Sequence, residues 1–352
     1  MSALVPVALA LAAACPELPP PPRERGVALG LFSMDPAFRY AGLVDEVAAL
    51  GASHLSVVWV WWQADLRSTE IRPVDGWTAT EAQVLEAMAA GRSRGLHVTL
   101  FPIVRLVKPA DGAWRGRIAP ADEDRWWASY DAFVLRAGAL AAHARAERLS
   151  IGSELLTREP MRARWSRLVD RLRLRHPRLE LMYSANWDHF RPVRFWDLVD
   201  VVGLTAYWEV GRGRSRRVEA LRAAWRAPLA DVGRFARALG RPVVFTEIGY
   251  PSQEGALAFP WDETRSRPVD LEEQRIGFEA FARAVGDAAF VQGAYVWNWF
   301  GFGGPADGDY TPRGKPAAAL LGCWYAGGEG ARSASTRTAT APWSAAAGRA
   351  AD

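Results

Sequence analysis

Lysine is almost absent from this chain. Among its 43 basic residues only Lys108 and Lys315 are lysines; the rest are arginines. Lys108 lies past the third strand-like run and Lys315 opens the last helical stretch, so no lysine is placed for aldolase-type Schiff-base chemistry. Histidine is scarce too, at five. His54 and His97 begin strand-like runs, His143 and His176 belong to helical stretches, and only His189 follows a strand. No two have metal-ligand spacing, so neither a catalytic metal nor any other cofactor is expected. The two cysteines, Cys15 and Cys323, cannot build a disulfide framework. A glycine-rich phosphate loop is missing as well. Gly26 and Gly30 fall before and within the first strand-like run, which excludes a dinucleotide fingerprint.

The net charge of +4 and pI near 9.3 do not make a nucleic-acid binder. The densest basic run, Arg162 to Arg178, is interrupted by Trp165, Leu168, Val169, Leu172 and Leu174 at helical spacing, the pattern of a solvated helix face. The apolar stretch Met1 to Ala14 is shorter than the roughly 20 residues a membrane-spanning helix needs and fits the core of a secretory signal. Its ending, Leu11-Ala12-Ala13-Ala14-Cys15, resembles a bacterial lipoprotein signal, which implies an exported protein held to a membrane only through a lipidated Cys15. Cys323, beside Trp324 in an apolar helical stretch, reads as a packed thiol. The expected organisation is a signal over 1–15, a proline-rich tether over 16–25, one domain over 26–326 and a disordered low-complexity tail over 327–352. A monomer is expected.

Between tether and tail, short apolar runs alternate with longer amphipathic stretches, the signature of an α/β fold with a parallel sheet. Strands are predicted at Val27–Ser33, His54–Trp61, His97–Val104, Arg148–Gly152, Leu179–Ala185, Val199–Ala206, Pro242–Thr246 and Gly293–Trp299. The clearest helical patterns are Ala37–Leu50, Thr80–Arg92, Asp122–Ala146, Glu159–Arg175, Val218–Leu239 and Leu271–Val285, with a short fifth helix at Phe190–Leu198 and an eighth at Pro316–Tyr325. Eight such units predict a (β/α)₈ TIM barrel as a single domain.

Two of the apolar runs end in glutamate: Leu149-Ser150-Ile151-Gly152-Ser153-Glu154 and Val243-Val244-Phe245-Thr246-Glu247. Burial opposes a carboxylate's charge, so a strand-end acid is paired, hydrogen-bonded or part of a site. In a barrel both lie on the carboxyl-terminal rim, where active sites form. Two carboxyl groups on one rim suit glycosidic cleavage, one protonating the departing oxygen and the other attacking the anomeric carbon. Glu154, with Leu155 and Leu156 beyond it, is expected in apolar surroundings near a negative charge, which favour the protonated form. Glu247 is expected beside tyrosine and arginine donors that hold it ionised, with Tyr207 of Thr205-Ala206-Tyr207-Trp208 placed to reach it. The 17 tryptophans suit the flat faces of sugar rings, although about half are expected to fill gaps between strands and helices. In Trp59-Val60-Trp61-Trp62, alternation sends Trp59 and Trp61 one way and Trp62 the other.

With these residues in place the chain resembles the retaining clan of barrel glycosidases, and within it glycoside hydrolase family 113. The likeness rests on Ile151-Gly152-Ser153-Glu154, Thr246-Glu247-Ile248-Gly249-Tyr250, Trp114-Arg115-Gly116 and Tyr310-Thr311-Pro312-Arg313-Gly314-Lys315-Pro316. It implies an endo-β-1,4-mannanase with Glu154 as acid/base, Glu247 as nucleophile and Trp297 or Trp299 as a floor for the sugar. Ser153 stands where the wider clan has an asparagine that contacts the sugar; Asn186 is a candidate to reach in instead. Tyr207, Trp208, Asn186, Trp297, Trp299, Trp62 and Ser153 are the candidate substrate contacts, and Asp188, Glu209, Asp307 and Asp309 are loop acids that could touch sugar hydroxyls. The competing readings are the same chemistry on glucan, xylan or galactan, and a surface carbohydrate-binding barrel without catalysis.

Overall fold

Eight parallel strands close on themselves in the computed structural model, which describes residues 15–335 except 111, 214 and 263–266, with side chains to residue 327. The strands are β1 (Glu24–Gly30), β2 (His54–Gln63), β3 (His97–Leu106), β4 (Arg148–Ser153), β5 (Glu180–Ala185), β6 (Val201–Thr205), β7 (Val243–Ile248) and β8 (Val291–Val296). Each pairs with the next, and β1 pairs with β8 through Glu24↔Gly293 to Val27↔Val296, leaving no open edge in the barrel. A two-residue antiparallel strand, Ile71–Arg72, extends the end of β2. The surrounding helices are α1 (Ala41–Ala49), α2 (Glu81–Ser93), α3 (Glu123–His143), α4 (Arg162–Arg175), α5 (Val218–Ala224), α6 (Arg226–Leu239), α7 (Leu271–Val285) and α8 (Pro316–Ser335). The architecture is a single-domain TIM barrel.

The differences from the predicted elements have local causes. The stretch Val218–Leu239 divides into α5 and α6 at Trp225. Pro228 has no N–H to bond back to Ala224, so the ladder cannot run through, whereas proline is tolerated in the first turn of a new helix. Between β5 and β6 only a 3₁₀ turn, Trp196–Leu198, forms. Helix α8 continues to Ser335, past the expected start of the tail at 327; residues 336–352 lie outside those described, as do residues 1–14 of the signal expected over 1–15. No helix among the described residues is long and apolar enough to cross a membrane.

The proline-rich segment is fastened to the barrel. Trp324 Nε1 donates to the Pro19 carbonyl at 3.1 Å, Leu18 packs on the outer core, and Cys15 is disulfide-bonded to Cys323 with their Cα atoms 5.5 Å apart. This corrects two expectations. Cys323 is not a free packed thiol, and Cys15 has no free sulfur to carry a lipid. Spacing alone could not pair them, because 308 positions intervene.

Two cores sandwich the strands. The large outer one holds Trp59, Trp126, Trp127, Trp165, Trp196, Trp225, Trp299 and Trp324 between strands and helices, so about half of the tryptophans are structural. The inner one, Ala28, Val58, Val60, Phe101, Ile103 and Met182, fills the barrel mainly on the β1–β3 side. The β4–β7 side is lined by hydroxyls instead, with Ser184 Oγ and Thr246 Oγ1 2.6 Å apart. At the amino-terminal end, Glu24 and Arg148 form a buried two-pronged ion pair at 2.9 and 3.0 Å, and Tyr295 donates to Glu24 at 2.9 Å. Gly26 makes room for that tyrosine, since a Cβ there would stand 2.3 Å from its ring.

Candidate active site

A bulge in β4 presents Glu154. The pairing of β4 with β5 shifts between Ser150 and Ser153, and a Cβ on Gly152 would meet the Tyr130 hydroxyl at 2.6 Å on the helix side. Only glycine fits that place. Beyond the bulge Glu154 adopts a left-handed backbone, φ 52°, which costs a non-glycine residue about 1–3 kcal/mol and persists where the surroundings over-determine it. Here its N–H donates to the Ser184 carbonyl at 2.8 Å, and the next amide, Leu155 N, donates to the Tyr183 hydroxyl at 3.1 Å.

The Glu154 side chain is held by two donors. Arg115 Nη2 lies 2.5 Å from Oε2 and Thr205 Oγ1 donates to Oε1 at 2.9 Å. The apolar surroundings expected for it are therefore not found: Leu155 turns into the outer core, while Arg115 comes from the loop after β3, beyond the reach of local sequence reasoning. Glu247 is the penultimate residue of β7 and is 3% exposed. It sits opposite Thr205 in the β6–β7 pairing, and the Tyr207 hydroxyl donates to its Oε2 at 2.9 Å. Burial raises the Tyr207 hydroxyl well above its usual range, and the charges of Glu247, Tyr310 and Glu154 add to the effect. Its proton therefore stays available for donation. One buried tyrosine thus feels both carboxylates, 93 positions apart in the chain.

The other expected contacts separate into two groups. Asn186 is buried at the mouth, its Oδ1 3.3 Å from the same Thr205 hydroxyl that serves Glu154. Ser153 is 3% exposed and its Oγ has no hydrogen-bond partner among the described residues. Trp297 and Trp62 pack on the inner core, with Trp297 6.3 Å from Phe32. Trp59 and Trp61 face the helices, Trp61 stacking on Phe133 at 4.7 Å. Trp299 is a correction: it is 3% exposed, belongs to the outer core and donates to Glu46 Oε2 at 2.9 Å. It points at α1, away from the mouth. The strand ends at Val296, so the two-residue alternation that would align it with Trp297 no longer operates. Trp208 is half-buried and leans on Trp225 and Phe245 of the outer layer, with Trp187 5.8 Å away at its other side.

The loop acids are engaged elsewhere or exposed. Asp307 is bound by Lys315 Nζ at 3.2 Å and by the Gly303 and Asp309 amides, and Lys315 also donates to Ser252 at 2.7 Å. That buried cluster ties the loop after β7 to the loop after β8. Glu209 pairs with Arg212 at 2.9 Å; Asp188 and Asp309 face solvent. A cleft lined by Arg92, Glu147, Arg175, His176 and Arg178 opens at the amino-terminal end, away from both glutamates.

A closed α/β barrel with two buried glutamates at the carboxyl ends of its fourth and seventh strands has the layout of a glycoside hydrolase barrel. The family "Glycoside Hydrolase Family 113" matches residues 38–302, three quarters of the chain, and the chain belongs to that family of enzymes. Among solved structures it is similar to the family 113 β-mannanase AaManA from Alicyclobacillus acidocaldarius in complex with ManMIm, with 24% identity, a TM-score of 0.77, and 87% of this chain and 98% of that one covered. A complex structure of a family 113 β-1,4-mannanase gives 20% identity, a TM-score of 0.78 and coverage of 87% and 99%. A β-D-glucuronidase from Dictyoglomus thermophilum shares the fold more distantly, at 13% identity and a TM-score of 0.59, covering 87% of this chain and 51% of that one. No curated protein matches the chain.

Proposed function

We propose that the enzyme is a retaining endo-β-1,4-mannanase in which Glu247 is the nucleophile and Glu154 the acid/base. The observation that carries this reading is the pair of mouth carboxylates with divided contacts. The Tyr207 hydroxyl donates to Glu247 Oε2, whereas Arg115 and Thr205 fix the Glu154 side chain. Glu247 attacks the anomeric carbon while Glu154 gives its proton to the departing oxygen, leaving a glycosyl ester on Glu247. Glu154 then takes a proton from water, whose oxygen attacks the same carbon and frees Glu247. Arg115 and Thr205 hold the Glu154 side chain in place by hydrogen bonds.

The mannan assignment is supported by the family 113 mannanases that share the fold. Endo action is supported by the aromatic rim. From Trp297 the run continues through Phe32 at 6.3 Å, then Arg105, which lies 5.7 Å from both the Phe32 and Trp62 rings, and ends at Trp77, 5.0 Å from Trp62. Trp77 is 43% exposed, which leaves its ring open to the flat face of a sugar. A track of this kind holds several sugar units on one side of the cleavage point. The disulfide also favours a place outside the reducing cytoplasm.

The test is a panel of β-linked polysaccharides with chromatographic product analysis, alongside two variants. Mannan should be cut internally to mixed oligosaccharides. Glu247→Ala should abolish turnover of mannan and of an activated aryl mannoside, and near-normal turnover would overturn the assignment. Glu154→Ala should lose about 10²–10⁴-fold in kcat/KM on mannan and far less in kcat/KM on the activated glycoside, whose departing group needs no proton.

A further inference from the structure

A third glutamate is sealed beneath the Glu154 loop. Glu159 is fully buried at 0% exposure, and both its oxygens are bonded. Tyr183 donates to Oε1 at 2.8 Å and His189 Nδ1 meets Oε2 at 2.9 Å. A carboxylate only accepts, so the ring nitrogen is the donor. Because the Tyr183 proton is committed to Glu159, its oxygen is oriented to accept from Leu155 N, at 3.1 Å. Leu155 directly follows Glu154, whose left-handed backbone needs support from outside the chain segment itself. Trp165 and Phe195 wall in the Tyr183 ring at 5.3 and 4.9 Å, and His189, with its side chain 35% exposed, is the cluster's contact with solvent.

We infer that Glu159 is a positioning residue for the acid/base step, acting through Tyr183 and the Leu155 amide to hold Glu154 in its left-handed conformation, with the His189 ring as its second hydrogen-bond donor. A buried acid unrelated to the site would have no reason to orient the one hydroxyl that caps the Glu154 loop. Burial pushes the Glu159 carboxyl up, His189 and Tyr183 oppose this, and the Glu154 charge pushes it further up, so the two glutamates also sense each other directly. Glu159 has no exposed surface with which to touch a sugar; its effect passes through the loop.

The inference rests on the acid/base reading of Glu154, and leaving-group dependence separates the two. Glu159→Gln and Tyr183→Phe would be assayed with an unactivated manno-oligosaccharide and with a dinitrophenyl mannoside, alongside thermal unfolding. Tyr183→Phe keeps the ring packing and removes only the oxygen that Leu155 N uses. The expected result is a loss in kcat/KM of about tenfold or more on the oligosaccharide, toward the range of a missing general acid, with a change in kcat/KM under about threefold on the dinitrophenyl substrate. His189→Gln, which preserves a donor, should retain more oligosaccharide activity than His189→Ala. Equal losses on both substrates, or none, in a folded Tyr183→Phe protein would overturn the inference while leaving Glu154's role intact. If Glu154→Ala itself showed no leaving-group dependence, the acid/base reading would be the one to fail.

Discussion

Replacing Glu24 with glutamine should remove a defined, pH-dependent part of the stability. Glu24 sits at the amino-terminal end of the barrel, its side chain 4% exposed and that of Arg148 8% exposed. Burial opposes its charge, but the hydrogen bonds and charge of Arg148, with His54 and Tyr295, override this and hold the carboxyl at about 2 against 4.5 in an unfolded chain. At about 1.4 kcal/mol per pH unit this corresponds to about 3 kcal/mol. That matches the roughly 3–5 kcal/mol expected when one partner of a buried ion pair is removed. The folded value is depressed, so the stabilisation is fully present above pH 4.5 and is lost as the pH falls towards 2. Urea unfolding of both proteins at a series of pH values gives the difference directly. Glu24→Gln should be less stable by about 3 kcal/mol at pH 7, and the gap should narrow below pH 4.5 because the wild-type carboxyl takes up its own proton. His54 adds a separate window. Burial lowers its imidazole to about 4 from 6.5, with the neighbouring Glu24 charge opposing the shift. The unfolded chain therefore binds this proton first, and stability falls between pH 6.5 and 4. His54→Gln should flatten that upper window. A gap for Glu24→Gln below about 1 kcal/mol at pH 7, or one that stays constant down to pH 3, would refute the reasoning.

Two further outcomes follow from the rim and the tether. Cys323→Ser should release Cys15 and destabilise the protein by about 2–4 kcal/mol, since the bond closes nearly the whole chain into one loop. Thiol titration of the unreduced, denatured wild type should find no free thiol, and two would refute the pairing. Trp77→Ala should raise KM several-fold on long manno-oligosaccharides while leaving KM for a short aryl mannoside unchanged. A similar change on both would show that the aromatic track does not hold distal sugars.

The barrel was legible because parallel strands covered on both faces read as unbroken apolar runs, with glycine or proline between units. All eight strands occur where those runs fall. The departures are residues whose partners are distant. Glu24 and Arg25 look like the end of a polar tether, yet both are buried in β1, because the charge that compensates Glu24 is on Arg148, 124 positions away. Cys15 finds Cys323 across almost the whole chain. Trp299 misleads in the opposite way: a strand pattern was carried three residues past Val296, where the strand had already stopped.

Within the mouth, what was visible is what chain direction alone determines. Glu24, Glu154 and Glu247 all belong to buried strands or directly follow one, and all three are buried. In a parallel barrel, however, the first residue of a strand lies at one end and the last at the other. Glu24 opens its strand and is sealed by Arg148 in a purely structural pair, whereas Glu154 and Glu247 close theirs and reach the rim. The end of the strand that an acid occupies therefore decides whether it lies at the sealed end of the barrel or on the rim. Chain direction cannot identify what holds the acid in place. Arg115 arrives from the loop after β3, Thr205 from β6, and Glu159 from what reads as the opening of the fourth helix. Each matters only because the closed barrel brings its loops to one face, so the supporting residues become visible only once the barrel is closed.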